Sequence, residues 1–352
     1  MHLGTPALLE FCRRHREDES LVLVTIVDTC GSTYRKTGAM MLIGRDGDFE
    51  GMISGGCLEG DLLEHAVGVF DTGTPARVTY DMSADDDLIW SLGIGCDGVI
   101  HLLLQRLDRE TGLDLFRQLE ESHQERHAVL LALVTQAEAG AAVGGMALMD
   151  QSGVTLGSGT LVPMLEPMAE DWPDWRCRVV EEAGTRVLLI NMPVQTRILI
   201  CGAGPDAVPV VQAFSDLGWD VVVTDHRPAH ARPERFPADC TVLQQRQESL
   251  CENVDLDEID AAVIMTHHLE SDAIYLAQLC DRPLRYLGVL GPRARKARLR
   301  EMAGCPERQL FGPVGLDIGA ELPASIALSI ASEVHAVLNR RDGRSLAGLT
   351  YD

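Results

Sequence analysis

Residues 197 to 225 run strand, glycine turn, helix, strand and acid, an order that few folds admit. Arg197-Ile198-Leu199-Ile200-Cys201 reads as a strand, Gly202-Ala203-Gly204-Pro205-Asp206-Ala207 as a turn into a helix, and Asp220 to Thr224 as a second strand that ends at Asp225. Gly202 permits the tight turn, Gly204 lets a diphosphate approach the backbone, and small Ala207 lets the helix pack close to the sheet. Asp225 stands where a carboxylate would accept hydrogen bonds from ribose hydroxyls. The pattern predicts a dinucleotide-binding βαβ unit. It specifies the fold more firmly than the ligand, because the same turn can hold other phosphates or nothing.

A parallel sheet continues from there. Ala261 to Met265 is a wholly apolar strand ending in Thr266-His267-His268, and Leu284 to Leu290 is another, ending at Gly291-Pro292. Ligands of open α/β sheets bind at the carboxyl ends of strands, which is where His267 and the Gly291 turn belong. The following helix carries Arg293, Arg295, Lys296, Arg298 and Arg300, either a solvated face or a phosphate clamp headed by Arg293. The two histidines lack an acidic or cysteine partner at metal-ligand spacing. Asp317, in Gly315-Leu316-Asp317-Ile318-Gly319-Ala320, is a ligand contact or a turn residue.

The pattern changes near Pro193, dividing 352 residues into an N-terminal α+β domain, 1–192, and a C-terminal Rossmann-like parallel-sheet domain, 193–352. The overall class is α/β. In the first domain a short helix opens at Thr5-Pro6, and strands are expected at Leu21 to Val27, Ala39 to Ile43 and Phe49 to Ile53. Ile53-Ser54-Gly55-Gly56-Cys57-Leu58-Glu59-Gly60 then leads into an amphipathic stretch, Leu58 to Phe70. Cys57 therefore sits at the N-terminus of an expected helix, where partial positive charge stabilises a thiolate. Cys96, in Gly93-Ile94-Gly95-Cys96-Asp97-Gly98, has similar company. The pair suggests a thiol-lined, glycine-walled site, against the plainer reading of small residues filling tight turns. Arg35 and Lys36, in the glycine-bounded loop Cys30 to Gly38, offer cations to an anion or are simply a loop tip. Ala128 to Leu156 echoes the first strands without their cysteine or cations, as a half-repeat or by chance.

Charge and cysteine usage narrow the function. A formal net charge of −23 repels DNA, RNA and anionic membranes, so neither nucleic acid nor membrane is an expected partner. Ten cysteines without a CxxC pair argue against a disulfide framework and a zinc ribbon and for a reducing cytoplasm. Neither a long apolar run nor a basic, then apolar, leader stands at the N-terminus, and a soluble cytoplasmic protein is the expectation.

These blocks together resemble the XdhC/CoxI family of accessory proteins for molybdenum hydroxylases such as xanthine dehydrogenase. The resemblance is carried by Gly31-Ser32-Thr33 with Arg35 and Gly38-Ala39, by the Ile53 to Gly60 and Gly93 to Gly98 runs, by Gly202-Ala203-Gly204 and Met265-Thr266-His267, and by Gly288 to Gly291 and Gly315 to Ala320. Pro205 and Tyr34 depart from it, where the family often has histidine and proline. What it implies is a protein that binds molybdenum cofactor (molybdopterin) transiently, supports its sulfuration with a cysteine desulfurase and delivers it to the apo-hydroxylase, as a chaperone more than an enzyme. The expected cofactor-binding residues are Arg35, Gly55, Gly56, Cys57, Glu59, Cys96, Gly202, Gly204, Asp225, His267, Arg293 and Asp317, with Cys57 and Cys96 as metal ligands. A nucleotide in the C-terminal domain and a homodimer stay open. The main rival is an NAD(P)-dependent oxidoreductase in which Asp225 holds ribose and Cys57 or His267 acts on substrate. A third class is a structural assembly factor with packed, inert cysteines.

Overall fold

The computed structural model describes residues 4–15, 18, 20–82, 98–109, 112–137, 142–153, 155–168, 172, 174–182 and 184–348. The chain divides between Val194 and Gln195 into two compact units.

The first unit opens with helix α1 (Thr5–Arg14), then strands β1 (Leu21–Cys30), β2 (Met40–Ile43) and β3 (Phe49–Gly51), helix α2 (Glu59–Thr72), and strands β4 (Ala76–Asp81) and β5 (Val99–Leu107). The five strands form an antiparallel sheet in the order β3-β2-β1-β5-β4. The chain then repeats itself. Helix α3 (Leu113–Gln124), strands β6 (Val129–Ala137), β7 (Met146–Asp150) and β8 (Thr155–Gly157), the short helix α4 (Val162–Leu165), and strands β9 (Cys177–Glu182) and β10 (Thr185–Met192) build a second antiparallel sheet, ordered β8-β7-β6-β10-β9. Even the irregularities match: Val27 is the extra residue of a bulge between β1 and β5, and Thr135 that of a bulge between β6 and β10.

Strand alternation explains why these runs read as continuously apolar. Successive side chains leave opposite faces of a strand, and both faces here are covered. Leu23, Leu42 and Leu103 of the first sheet and Leu131, Leu148 and Leu188 of the second share one core with Phe11 and Phe116 of the helices. Val22, Val24 and Ile26 point the other way, against Leu62, Ala66 and Val69 of α2.

The second unit is a parallel sheet of β11 (Arg197–Cys201), β12 (Asp220–Asp225), β13 (Thr241–Gln244), β14 (Ala261–Ile264) and β15 (Tyr286–Val289), in the order β13-β12-β11-β14-β15. Helices α5 (Ala207–Asp216) and α8 (Pro323–Leu338) cover one face, and α6 (Leu269–Leu279) and α7 (Arg293–Ala303) the other. This is the expected Rossmann arrangement, with the order reversing between β11 and β14. The cysteine pattern argues against a disulfide framework, and one pair departs from that: Cys280 and Cys305, 25 residues apart, form a disulfide with Cα atoms 6.1 Å apart. The packing of α6 beside α7 brings the two together, which no spacing rule encodes. Among the described residues no helix is long and apolar enough to cross a membrane.

Leu188 is fully buried in the core shared by the two antiparallel sheets. Leu188→Ala is expected to cost about 2–5 kcal/mol in denaturant unfolding. A loss below about 1 kcal/mol would contradict the close packing of that layer.

Candidate functional site

The Ile53 to Gly60 run folds around a carboxylate. Glu59, the first residue of α2, is 5% exposed. Its Oε1 accepts from the N–H groups of Ile53 (3.0 Å) and Ser54 (2.9 Å). Its Oε2 accepts from the Ser54 hydroxyl (2.7 Å) and the N–H groups of Gly56 (2.9 Å) and Leu58 (3.2 Å). Burial by itself would raise the carboxyl pKa, but the donors from Ser54 and Ile53 outweigh it and hold the group at about 2. Drawing those amides inward bends the chain through φ +91° at Gly55 and +111° at Gly56, a region hostile to side chains. Cys57 follows as a half-buried free thiol two residues ahead of Glu59. A Cβ on Gly56 would meet nothing within 4 Å, so this wall is open to an approaching molecule.

The Cys30 to Gly38 loop meets this one through Tyr34, and two further segments pack on that cationic loop. The Tyr34 ring lies against Gly55, 3.7 Å from where a Cβ would stand. Thr33 is buried; its hydroxyl donates to the Arg35 carbonyl (2.8 Å) and accepts from Lys36 Nζ (3.3 Å), so the cationic loop is internally braced. Gly98, which closes the second glycine run, packs against the Ser32 carbonyl with no room for a side chain. Cys96 lies outside the described residues. Cys177 of β9 packs against Gly38, and its thiol donates to the Thr37 carbonyl (3.4 Å). Burial pushes that thiol's pKa up, while Arg176 opposes the rise. Arg176 is itself depressed, first by burial, with Arg35 adding to the effect and Cys177 opposing it. Among the described residues no three His, Cys, Asp or Glu side chains are grouped to hold a metal ion.

In the second unit the glycine turn follows β11 as expected. Gly202 has φ +120°, and a Cβ there would lie 2.7 Å from the Met265 carbonyl. Asp225 ends β12, but its side chain is fully buried and already engaged. It accepts from the Ala203 N–H (2.8 Å), the Arg227 N–H (2.9 Å) and the Arg227 guanidinium (2.7 and 2.9 Å). Burial raises its pKa and these donors lower it more, to about 2. As it stands, the carboxylate offers ribose no free oxygen lone pair facing outward.

His267 has an acidic partner in the fold, Asp206, 61 residues away and so outside any metal-ligand spacing read from the sequence. It has φ +64°, uncommon for a side-chain-bearing residue, and its Nε2–H donates to Asp206 Oδ2 at 2.7 Å. Beside it, buried Asp272 accepts from the Thr266 N–H (3.1 Å) and hydroxyl (2.5 Å) and pairs with Arg295 (2.6 Å). The basic helix is thus partly structural. Lys296 and Arg300 reach the carbonyls of Leu310 and Arg308, while Arg293, the first residue of α7, is exposed. Asp317 is exposed in its loop. Asp206, Arg227, Asp272, Arg176 and Cys177 escaped the sequence reading. Asp206 had a legible signal, an acid at the head of the helix after the glycine turn. Cys177 had none, since its neighbours lie 140 residues away.

An α+β unit carrying a cysteine on a glycine loop, followed by a Rossmann unit, is the architecture that two family models match in this chain. Residues 14–81 match the model of the XdhC and CoxI family, and residues 198–334 that of the XdhC Rossmann domain. A Bacillus subtilis protein named as a probable xanthine dehydrogenase subunit is 32% identical over 345 residues, covering 95% of this chain and 96% of its own. The Escherichia coli molybdenum cofactor insertion chaperone PaoD is 24% identical, covering 90% of this chain and 83% of its own. A crystal structure described as a xanthine dehydrogenase from Bacillus halodurans superposes with a TM-score of 0.81 at 32% identity, covering 98% of each chain. The chain belongs to the XdhC and CoxI family.

Glu59 has a folded pKa of about 2 against an ordinary 4.5, and Asp225 about 2 against 3.8. For a depressed acid, the stability it contributes is present above the unfolded value and lost as pH falls toward the folded one. Glu59→Gln is expected to cost about 3 kcal/mol at neutral pH and to flatten the fall in denaturant midpoint between about pH 4.5 and 2, leaving the part due to Asp225. An unchanged acid limb would show that the carboxylate does not hold the loop.

Proposed function

We propose that this protein binds molybdenum cofactor as cargo, shields it during sulfuration by a cysteine desulfurase, and delivers it to an apo molybdenum hydroxylase of the xanthine dehydrogenase type. The setting is the cytoplasm, and the role is that of a chaperone. The observation that carries the reading is the Cys57 thiol, presented on a loop whose shape is imposed by Glu59 and whose glycine wall is open above Gly56. A soft thiol suits a molybdenum centre with dithiolene sulfurs. Cys57, with Cys96, would supply soft ligands, Gly56 would allow the flat pterin to come close beside the Tyr34 ring that lies on Gly55, and Arg35 would face its phosphate. Glu59, proposed from the sequence as a contact, acts here as the positioning residue. In the second unit, exposed Arg293 and Asp317 remain available to cargo or client, whereas Asp225 and the glycine turn are tied up internally. The names of the Bacillus subtilis and Escherichia coli relatives support the same reading.

The test is anaerobic loading with molybdenum cofactor, re-isolation, and metal and pterin analysis. Cys57→Ser is expected to retain about tenfold less molybdenum than the wild type while melting at the same temperature, because a hydroxyl is a hard and poor ligand for this metal. Equal molybdenum and pterin in the two proteins would remove the thiol from the reading.

A further inference from the structure

We propose that Asp206 closes the glycine turn of the second unit to the diphosphate of nicotinamide and adenine dinucleotides. In a dinucleotide-binding βαβ unit the diphosphate sits over the second glycine and the helix start, using space that a side chain would fill. That space is taken here by the chain's own carboxylate. A Cβ on Gly204 would lie 2.6 Å from Asp206 Oδ1. The other oxygen, Oδ2, is held at 2.7 Å by His267, whose left-handed backbone keeps the imidazole turned to it. A diphosphate would have to displace this carboxylate, break the pair with His267 and tolerate a like charge at close range.

The remaining recognition elements are closed in the same way. The Ala203 N–H, a donor of the turn, is bonded to Asp225, and the Ala203 carbonyl accepts from Arg235 at 2.9 Å. Asp225, the acid that would read ribose, is buried beneath Arg227. Groups that serve a nucleotide in the parent motif are therefore bonded within the chain itself. Among them Asp206 is the one whose removal opens both volume and charge, since its side chain stands at the surface of the turn with 25% exposure. The proposal goes beyond the maturation reading and does not depend on it. Its readout is nucleotide binding, so either can fail without the other.

The experiment is calorimetric titration of the full-length protein with ADP and with NAD+. Asp206→Ala is expected to bind ADP at least about tenfold more tightly than the wild type, the scale of removing one close like charge from a partly buried anion site. Asp206→Asn, which keeps the size and removes the charge, is the second variant in case the first does not melt cooperatively, and it too is expected to gain affinity. Adding Gly204→Val to Asp206→Ala should abolish the gain, because the new side chain refills the turn. Wild-type affinity equal to that of the Asp206 variants would overturn the proposal. A gain that survives Gly204→Val would overturn it as well, by placing the nucleotide elsewhere.

Discussion

One buried carboxylate organises the Ile53 to Gly60 loop of the first unit. Glu59 collects five donors from the residues just ahead of it, and only a chain with glycine at 55 and 56 can curl tightly enough to present them. An unpaired buried carboxylate would be costly, so loop and acid depend on each other: the loop neutralises the acid's desolvation, and the acid dictates the loop's path. Cys57 takes its position from that mutual constraint. The Tyr34 ring then packs against Gly55 of that loop, while the Gly98 backbone packs against Ser32, close to Tyr34 in sequence.

The first unit also shows a duplicated topology whose two copies carry different side chains. The loops leaving β1 and β6 end alike: Gly38 donates its N–H to Ile26 at 2.8 Å, and Gly144 donates to Val134 at 2.9 Å. Each glycine packs beside the edge strand of the other half, Gly38 against Cys177 and Gly144 against Pro75. Shared backbone bonds preserve the frame, while the side chains at equivalent places differ in polarity and reactivity. Backbone hydrogen bonding constrains little about which residue sits there, so the two copies can carry different side chains on one frame.

In the second unit the Rossmann frame is retained and its usual contacts are redirected. The sheet order, the Gly202 turn and the acid at the end of β12 all follow from local pattern. Yet Asp225 is turned inward to Ala203 and Arg227, and Asp206 to His267. Fold and ligand are separable because the fold needs the small residues and apolar strands, whereas the ligand needs free donors and acceptors at the strand ends.

Much of this architecture was legible in the sequence because its signals are local. Period-two apolar runs, the Gly-Ala-Gly turn after a strand and the cysteine beside paired glycines report strands, a βαβ unit and an accessible thiol through rules that span a few residues. The resemblance carried by those same blocks then extended to the family. What only the tertiary structure decided are pairings across long separations. These include Cys177 against Gly38, Asp206 with His267, Arg295 with Asp272, the Cys280–Cys305 bond, and the full repeat of sheet order behind a faint echo in residues 128 to 156. A carboxylate's role depends on which donors surround it after folding. Glu59 and Asp225 are read in the sequence as acids facing a ligand, and in the folded chain they face their own backbone, because that is where the unpaired N–H groups are.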